Sequence, residues 1–183
     1  MREPFTPQMT AEEFLRWAER QEDKFELHHG FAIAFAGGTL DHDGISYNLR
    51  RIFDRLYRSP CKTFGSDVRV RVAEAVYYYC DAGVVCEPVE GGASVIERPR
   101  VVAEVLSRAT RAYDLVEKRA AYRALPQLEA YAIVHSAMRR AEVDSRSPAG
   151  AWKTVTYDDD ETFIAGFSFT LDKLYARTSL ANQ

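Results

Sequence analysis

The spacing of apolar positions changes several times along this chain, and each change marks an element. Thr10 and Glu13 precede the run FLRW at the spacing of a reciprocal helix cap, which predicts a helix over residues 11–20. In FELHHGFAIAFA, residues 25–36, the odd-numbered Phe25, Leu27, Phe31, Ile33 and Phe35 recur at period two. They predict one face of a strand or hairpin that bends at Gly30. Asp41 stands where it can cap a second helix, in which Ile45, Leu49, Ile52, Phe53 and Leu56 recur at helical spacing before Pro60.

Strands dominate the middle of the chain. Val68, Val70 and Val72 alternate with Arg69 and Arg71, the pattern of a half-buried strand. VYYYCDAGVVCEP reads as a second strand run, and RVVAEVLS, residues 100–107, as a third that is covered on both faces. Residues 110–125 predict a helix that Pro126 stops. LEAYAIVH then predicts a strand, RRAEVD and WKTVTY a hairpin around DSRSPAGA, and FTLDKLYART a last short helix. The order points to an α/β or α+β fold with a central mixed sheet and helices on both sides.

Composition narrows the class. A length of 183 residues suits one domain, 1–183, and 46% apolar with 28% charged residues excludes a disordered or membrane-embedded chain. The net charge of −3 argues against a protein held to nucleic acid by bulk positive charge, so such contact requires a local patch. Arg50, Arg51, Arg55 and Arg58 are one candidate patch, and Arg108, Arg111, Lys118 and Arg119 another. Taken alone, both read as solvated helix faces. Cys61, Cys80 and Cys86 are odd in number and lack a C-x-x-C pair, so reduced, partly buried thiols in a cytoplasmic protein are expected, with neither a disulfide framework nor a zinc site. MREPFTPQMT has no apolar stretch for a signal peptide, and no run approaches the ~20 apolar residues of a membrane span.

The chemically informative residues are acids inside apolar strands. Asp81 interrupts YYYC and AGVVC, and Glu104 lies between VVA and VLS. A buried carboxylate is costly without a partner. One such acid reads as structural, bonded to an arginine or to backbone N–H groups. Two in consecutive buried strands shift the balance toward a divalent cation with oxygen ligands, Mg2+ or Mn2+. Lys118 follows on the next helix, where Asp114 stands at i−4, and by itself it reads as a surface salt bridge worth ~0.3–0.5 kcal/mol. Glu26 is a further candidate, either solvent-facing by alternation or turned toward the metal.

Several ordered motifs together resemble a known family. GSDVRVRVAEAVYYYCDAGVVCEP, RVVAEVLSRAT and YDLVEKRAAYRALPQLEAYAIV, with TAEEFLRW, KFELHHG and LDHDGISYNL before them, resemble the Uma-type restriction endonucleases of the PD-(D/E)XK nuclease superfamily, over residues 9–175. The resemblance implies a restriction-endonuclease-like α/β fold and Mg2+-dependent hydrolysis of DNA phosphodiester bonds. It implies that Asp81 and Glu104 hold the metal together with the backbone carbonyl of Val105. Lys118 would orient or help deprotonate the attacking water, and Glu26 would complete the outer shell or bind a second metal. Cys80 stands where the family has proline, Leu106 where many superfamily members have lysine, and Ser107-Arg108-Ala109-Thr110 where the family has Ser-Pro-Ser-Thr. His42 matches a recurrent histidine, for which a helix-start cap or a core hydrogen bond is the expected role. A homodimer would suit cutting of two strands.

The remaining polar clusters have plainer readings. His28 and His29 should point to opposite faces of a strand and share no metal. Asp41-His42-Asp43 opens a helix, where acids suit the dipole, and residues 158–161 form an acidic turn. The competing function is a nuclease-fold domain that only binds nucleic acid or a protein partner. A small-molecule phosphoesterase has no pocket signal in the sequence.

Overall fold

The computed structural model describes residues 8–35, 38–106, 114–158, 162–164 and 167–181. Arg108, Arg111, the Ser107–Thr110 stretch, and Asp159, Asp160 and Glu161 lie outside those residues. Helix α1 (Ala11–Ala18) carries the expected cap: Thr10 Oγ1 accepts from the Glu13 N–H, and the Glu13 carboxylate accepts from the Thr10 N–H. Its buried Phe14 and Ala18 pack on Leu27 and Tyr77.

Strands β1 (Phe25–His28) and β2 (Phe31–Ala34) form an antiparallel hairpin. His29 and Gly30 make its two-residue turn, both at positive φ (49° and 90°). The register pairs Leu27 with Ala32, and both are buried, while Ile33 is 44% exposed. This corrects the expected single odd-numbered face. A two-residue turn reverses parity, so odd positions in β1 share a face with even positions in β2.

Helix α2 (Leu40–Leu56) buries Ile45, Leu49, Ile52 and Phe53, as their spacing predicts. Its cap is Thr39, whose hydroxyl accepts from the His42 N–H. Asp41 instead accepts hydrogen bonds from the N–H and hydroxyl of Ser179.

The strands that follow are β3 (Lys62–Phe64), β4 (Arg69–Ala73), β5 (Val76–Tyr79), β6 (Ala82–Val85), β7 (Val95–Ile96) and β8 (Val101–Leu106). A π-helical turn, Asp114–Lys118, leads into α3 (Arg119–Arg123). The chain continues through β9 (Ala130–His135), β10 (Ala141–Arg146), β11 (Trp152–Tyr157), β12 (Thr162–Ile164), β13 (Phe167–Phe169) and α4 (Leu171–Leu174). One mixed sheet has the order β2-β1-β5-β4-β7 and a second the order β11-β10-β9-β8-β6-β3. The parallel pairs are β4 with β7 and β8 with β9. The fold is therefore α/β with mixed sheets flanked by helices. VYYYCDAGVVCEP is two strands, not one: it breaks at Cys80-Asp81, with β5 in the first sheet and β6 in the second.

Strands β8 and β9 are buried along their whole length. One face, including Ala103, Val105, Ala132 and Val134, packs with the apolar stripe of α2. The other, including Val102, Leu106, Tyr131 and Ile133, packs with Tyr78 of β5, Tyr122 of α3 and Leu125 just beyond it. This double coverage explains their continuous apolar sequence.

The expectation of three reduced thiols is corrected. Cys61 and Cys86 form a disulfide, and only Cys80 is a free, buried thiol. The antiparallel register that pairs Lys62 with Val85 brings Cys61 opposite Cys86, across 25 residues of sequence. No spacing motif signals that pairing. With it, the thiol-based argument for a reducing compartment falls away for these two cysteines.

Gly83 in β6 lies beneath the ring of Phe64, where an added Cβ would stand 2.3 Å from the ring. We expect Gly83→Ala to lower stability by about 1–3 kcal/mol through overpacking, read as a reduced urea midpoint with an unchanged slope.

Candidate active site

Asp81 occupies the step between the two sheets. Its N–H donates to the Ala103 carbonyl (3.1 Å), and the pairing of Ala82 with Ala103 carries it beside Glu104. Asp81 Oδ2 accepts from the Val105 N–H at 2.7 Å, and Asp81 Oδ1 lies 2.8 Å from His42 Nε2. The break in the strand run thus has a use: it turns one carboxylate out of the ladder and onto the Glu104-Val105 peptide. Val105 touches Asp81 through its N–H, whereas the resemblance assigns its carbonyl to the metal.

Glu104 sits within β8 and is covered from the α3 side. Lys118 Nζ lies 3.5 Å from Glu104 Oε1 and donates to Glu26 Oε1 at 2.8 Å. Glu26 Oε1 also accepts from the Tyr79 N–H (2.9 Å), and His28 Nε2 is 3.0 Å from Glu26 Oε2. The ammonium further reaches the Tyr79 carbonyl (3.4 Å) and lies over the Tyr78 ring. Glu26, Asp81, Glu104 and Lys118 are each no more than 6% exposed. Lys118 is therefore no surface salt bridge. It spans from the helix after β8 to β1, joining two acids far apart in sequence. Glu26 is likewise not solvent-facing.

The charges set the protonation states. Burial pushes the Glu26 carboxyl up, but the Lys118 ammonium and the His28 hydrogen bond outweigh it and hold the group below its ordinary 4.5. Burial, with the negative charges of Glu104 and Asp81, pushes the Cys80 thiol well above its ordinary value of 9.0. Cys80 is thus a neutral packing residue.

A cleft of about 460 Å³ opens on the Asp81 side, with His42, Ser46 and Arg50 of α2 along one wall and Lys24 and Phe35 among its other lining residues. Of the basic patches, Arg119 is committed to a bidentate pair with Asp144 and a bond to Glu142, and Arg51 lies over Tyr47. His28 is buried against Glu26 while His29 is exposed in the turn, so the two share no site.

Two residues joined this site without being assigned to it from sequence. His28 shares the strand parity of Glu26, a signal that was available. His42, expected to cap a helix start or make a core hydrogen bond, has its Nε2 2.8 Å from Asp81 at the cleft wall, a partner 39 residues away that is set by how α2 docks beside β6.

A model of the Uma2 family, described as "Putative restriction endonuclease", matches residues 11–172. The chain belongs to this family. The uncharacterized protein slr1290 of Synechocystis is 33% identical to it, over 94% of this chain and 93% of that protein. The uncharacterized protein sll1609 of the same organism is 31% identical over 73% of this chain and 78% of its own length. Among solved structures, a "putative nuclease belonging to DUF820" from Anabaena variabilis superposes with a TM-score of 0.71 at 14% identity, covering 92% of this chain and 98% of that one. At that identity the likeness establishes the fold, which is the two-sheet α/β arrangement described above.

Lys118→Met removes the cation from between two buried acids, and we expect a loss of about 3–5 kcal/mol, measured by denaturant unfolding at neutral pH. Because the folded-state pKa of Glu26 lies below 4.5, Glu26 contributes stability above pH 4.5 that is lost as pH falls through the depressed folded value. The stability gap between wild type and Glu26→Gln should therefore narrow on acidification below pH 4.5. Urea midpoints across that range, with a constant gap, would contradict this.

Proposed function

We propose that this chain is a metal-dependent DNA endonuclease with a PD-(D/E)XK-type site. The observation that carries the reading is the pair of buried acids, Asp81 and Glu104, on neighbouring strands, with one buried ammonium, Lys118, on the Glu104 side. Membership of the Uma2 family supports the nuclease class.

Among the described residues no three His, Cys, Asp or Glu side chains converge as a metal-binding group. The reading takes Mg2+ or Mn2+ because the two acids offer oxygen ligands, and Mg2+ is typically held by one or two carboxylates with several waters. Each carboxylate oxygen has two acceptor positions, so the bonds from His42 and Val105 leave Asp81 with capacity for a ligand bond. In this reading Asp81, Glu104 and the Val105 carbonyl hold the cation. When bound, it lowers the pKa of a coordinated water and neutralises charge on the phosphate.

The protein's own groups do the rest. Lys118, paired with Glu26 and facing Glu104, orients the attacking water or donates to the phosphate oxygen on which charge builds. Glu26 holds that ammonium in place, and His28 holds Glu26. His42 fixes the rotation of the Asp81 carboxylate toward the cleft. Cys80 and Leu106 contribute packing at positions where a proline and a lysine stand in related proteins. The proposal includes a cytoplasmic protein acting on DNA as a homodimer, two copies presenting two sites to two strands. Among the described residues, no helix is long and apolar enough to cross a membrane.

Purified protein incubated with supercoiled plasmid should nick it in Mg2+ or Mn2+ and not in chelator. Asp81→Ala and Lys118→Ala should each lower the rate by about 100-fold or more. Cleavage absent with every metal, or undiminished in Asp81→Ala, overturns the proposal. Binding without cleavage would favour a nuclease-fold domain that only binds nucleic acid.

A further inference from the structure

We infer that Arg50 grips a backbone phosphate of the nucleic-acid strand that occupies the cleft beside Asp81. The inference rests on the nucleic-acid reading above for the identity of the ligand and adds the residue that positions it.

Arg50 lies four residues beyond Ser46 and eight beyond His42, so the three share one face of α2, and all three line the cleft. His42 bonds Asp81, so the same helical stripe runs from the proposed catalytic acid to the guanidinium. Arg50 Nε is buried without a hydrogen-bond partner among the described residues. It packs over Gly65: a Cβ there would lie 3.0 Å from Arg50 Nη1 and 3.1 Å from Cδ, so a larger residue would push the guanidinium out of place.

The other lysine or arginine of the cleft is already engaged. Lys24 donates to the Asp67 carboxylate and to the Ser66 carbonyl. Asp43, Glu22 and Asp23 also line the cleft and, with Asp81, make its walls acidic. An anionic strand entering such walls needs a compensating cation, and Arg50 is the one whose donors are not spent on a carboxylate of the cleft. Arg50 Nε is enclosed, which fixes the plane of the guanidinium, so a phosphate in the cleft would be met by its two Nη groups, which can donate two parallel bonds. A loose surface arginine would show neither the burial nor the cleared space.

The test is fluorescence anisotropy of labelled single-stranded and duplex oligonucleotides, with Ca2+ replacing Mg2+ and a salt titration for each protein. Arg50→Gln should weaken binding by about tenfold or more and reduce the salt slope by about 0.9 for duplex or about 0.7 for single strands. Arg50→Lys should keep the slope and bind more weakly than wild type, because the charge stays and the fork is lost. Gly65→Ala should weaken binding with charge unchanged, and it carries the test if Arg50→Gln does not fold by circular dichroism. Arg50→Lys and Gly65→Ala binding like wild type, or wild type binding neither oligonucleotide, overturns the inference. Arg50-dependent binding with no cleavage under any metal would sink the endonuclease reading and uphold this one. Asp81-dependent cleavage with equal binding by the Arg50 and Gly65 variants would do the reverse.

Discussion

The ammonium of Lys118, buried between Glu26 and Glu104, is the interaction on which the rest of this site depends. It ties β1, β8 and the π-helical turn before α3 into one arrangement. Each of the two acids would be expensive to bury by itself, and so would the lysine. Together they are tolerable, and the neighbouring groups complete the bonding: the Tyr79 N–H and His28 on Glu26, the Tyr79 carbonyl on Lys118. Such a cluster contributes little net stability compared with apolar packing of the same volume. Its burial therefore asks for a functional reason, and hydrolysis at a carboxylate site is the reason proposed.

The second constraint is the break at Cys80-Asp81. A continuous strand would place residue 81 in a regular ladder, facing one side of one sheet. Because β5 and β6 belong to different sheets, the chain must turn there, and the turn releases a carboxylate toward α2 and the cleft. Asp81 and Glu104 then meet different environments. Asp81 is set by His42 and a backbone N–H at the cleft wall, while Glu104 is set by a lysine on the far side. Two carboxylates on adjacent strands are kept from simple mutual repulsion by this division.

The cleft completes the picture of how charge is arranged. The overall charge of −3 gives no general attraction for nucleic acid, and the cleft walls are themselves acidic. Recognition by this surface has to work through a few placed cations. Among the described residues of the basic clusters, Arg119 is spent on Asp144 and Lys118 on Glu26, while Arg50 of α2 lines the cleft.

The sequence by itself determined the element types, the apolar stripe of α2, the doubly covered β8 and the presence of two acids that do not fit apolar strands. These follow from periodicity and from the cost of burying charge, which act over a few residues. The ordered motifs also identified the family and hence the fold. Only the tertiary structure decided the reversed parity of the first hairpin, the split of one apolar run between two sheets, the pairing of Cys61 with Cys86, and the partners of Lys118 and His42. Lys118 meets Glu26 across 92 residues and His42 meets Asp81 across 39. Spacing along the chain carries no information about such contacts, because they are set by how separately formed elements dock, and a lysine that pairs with its own helix looks the same in sequence as one that reaches into the core.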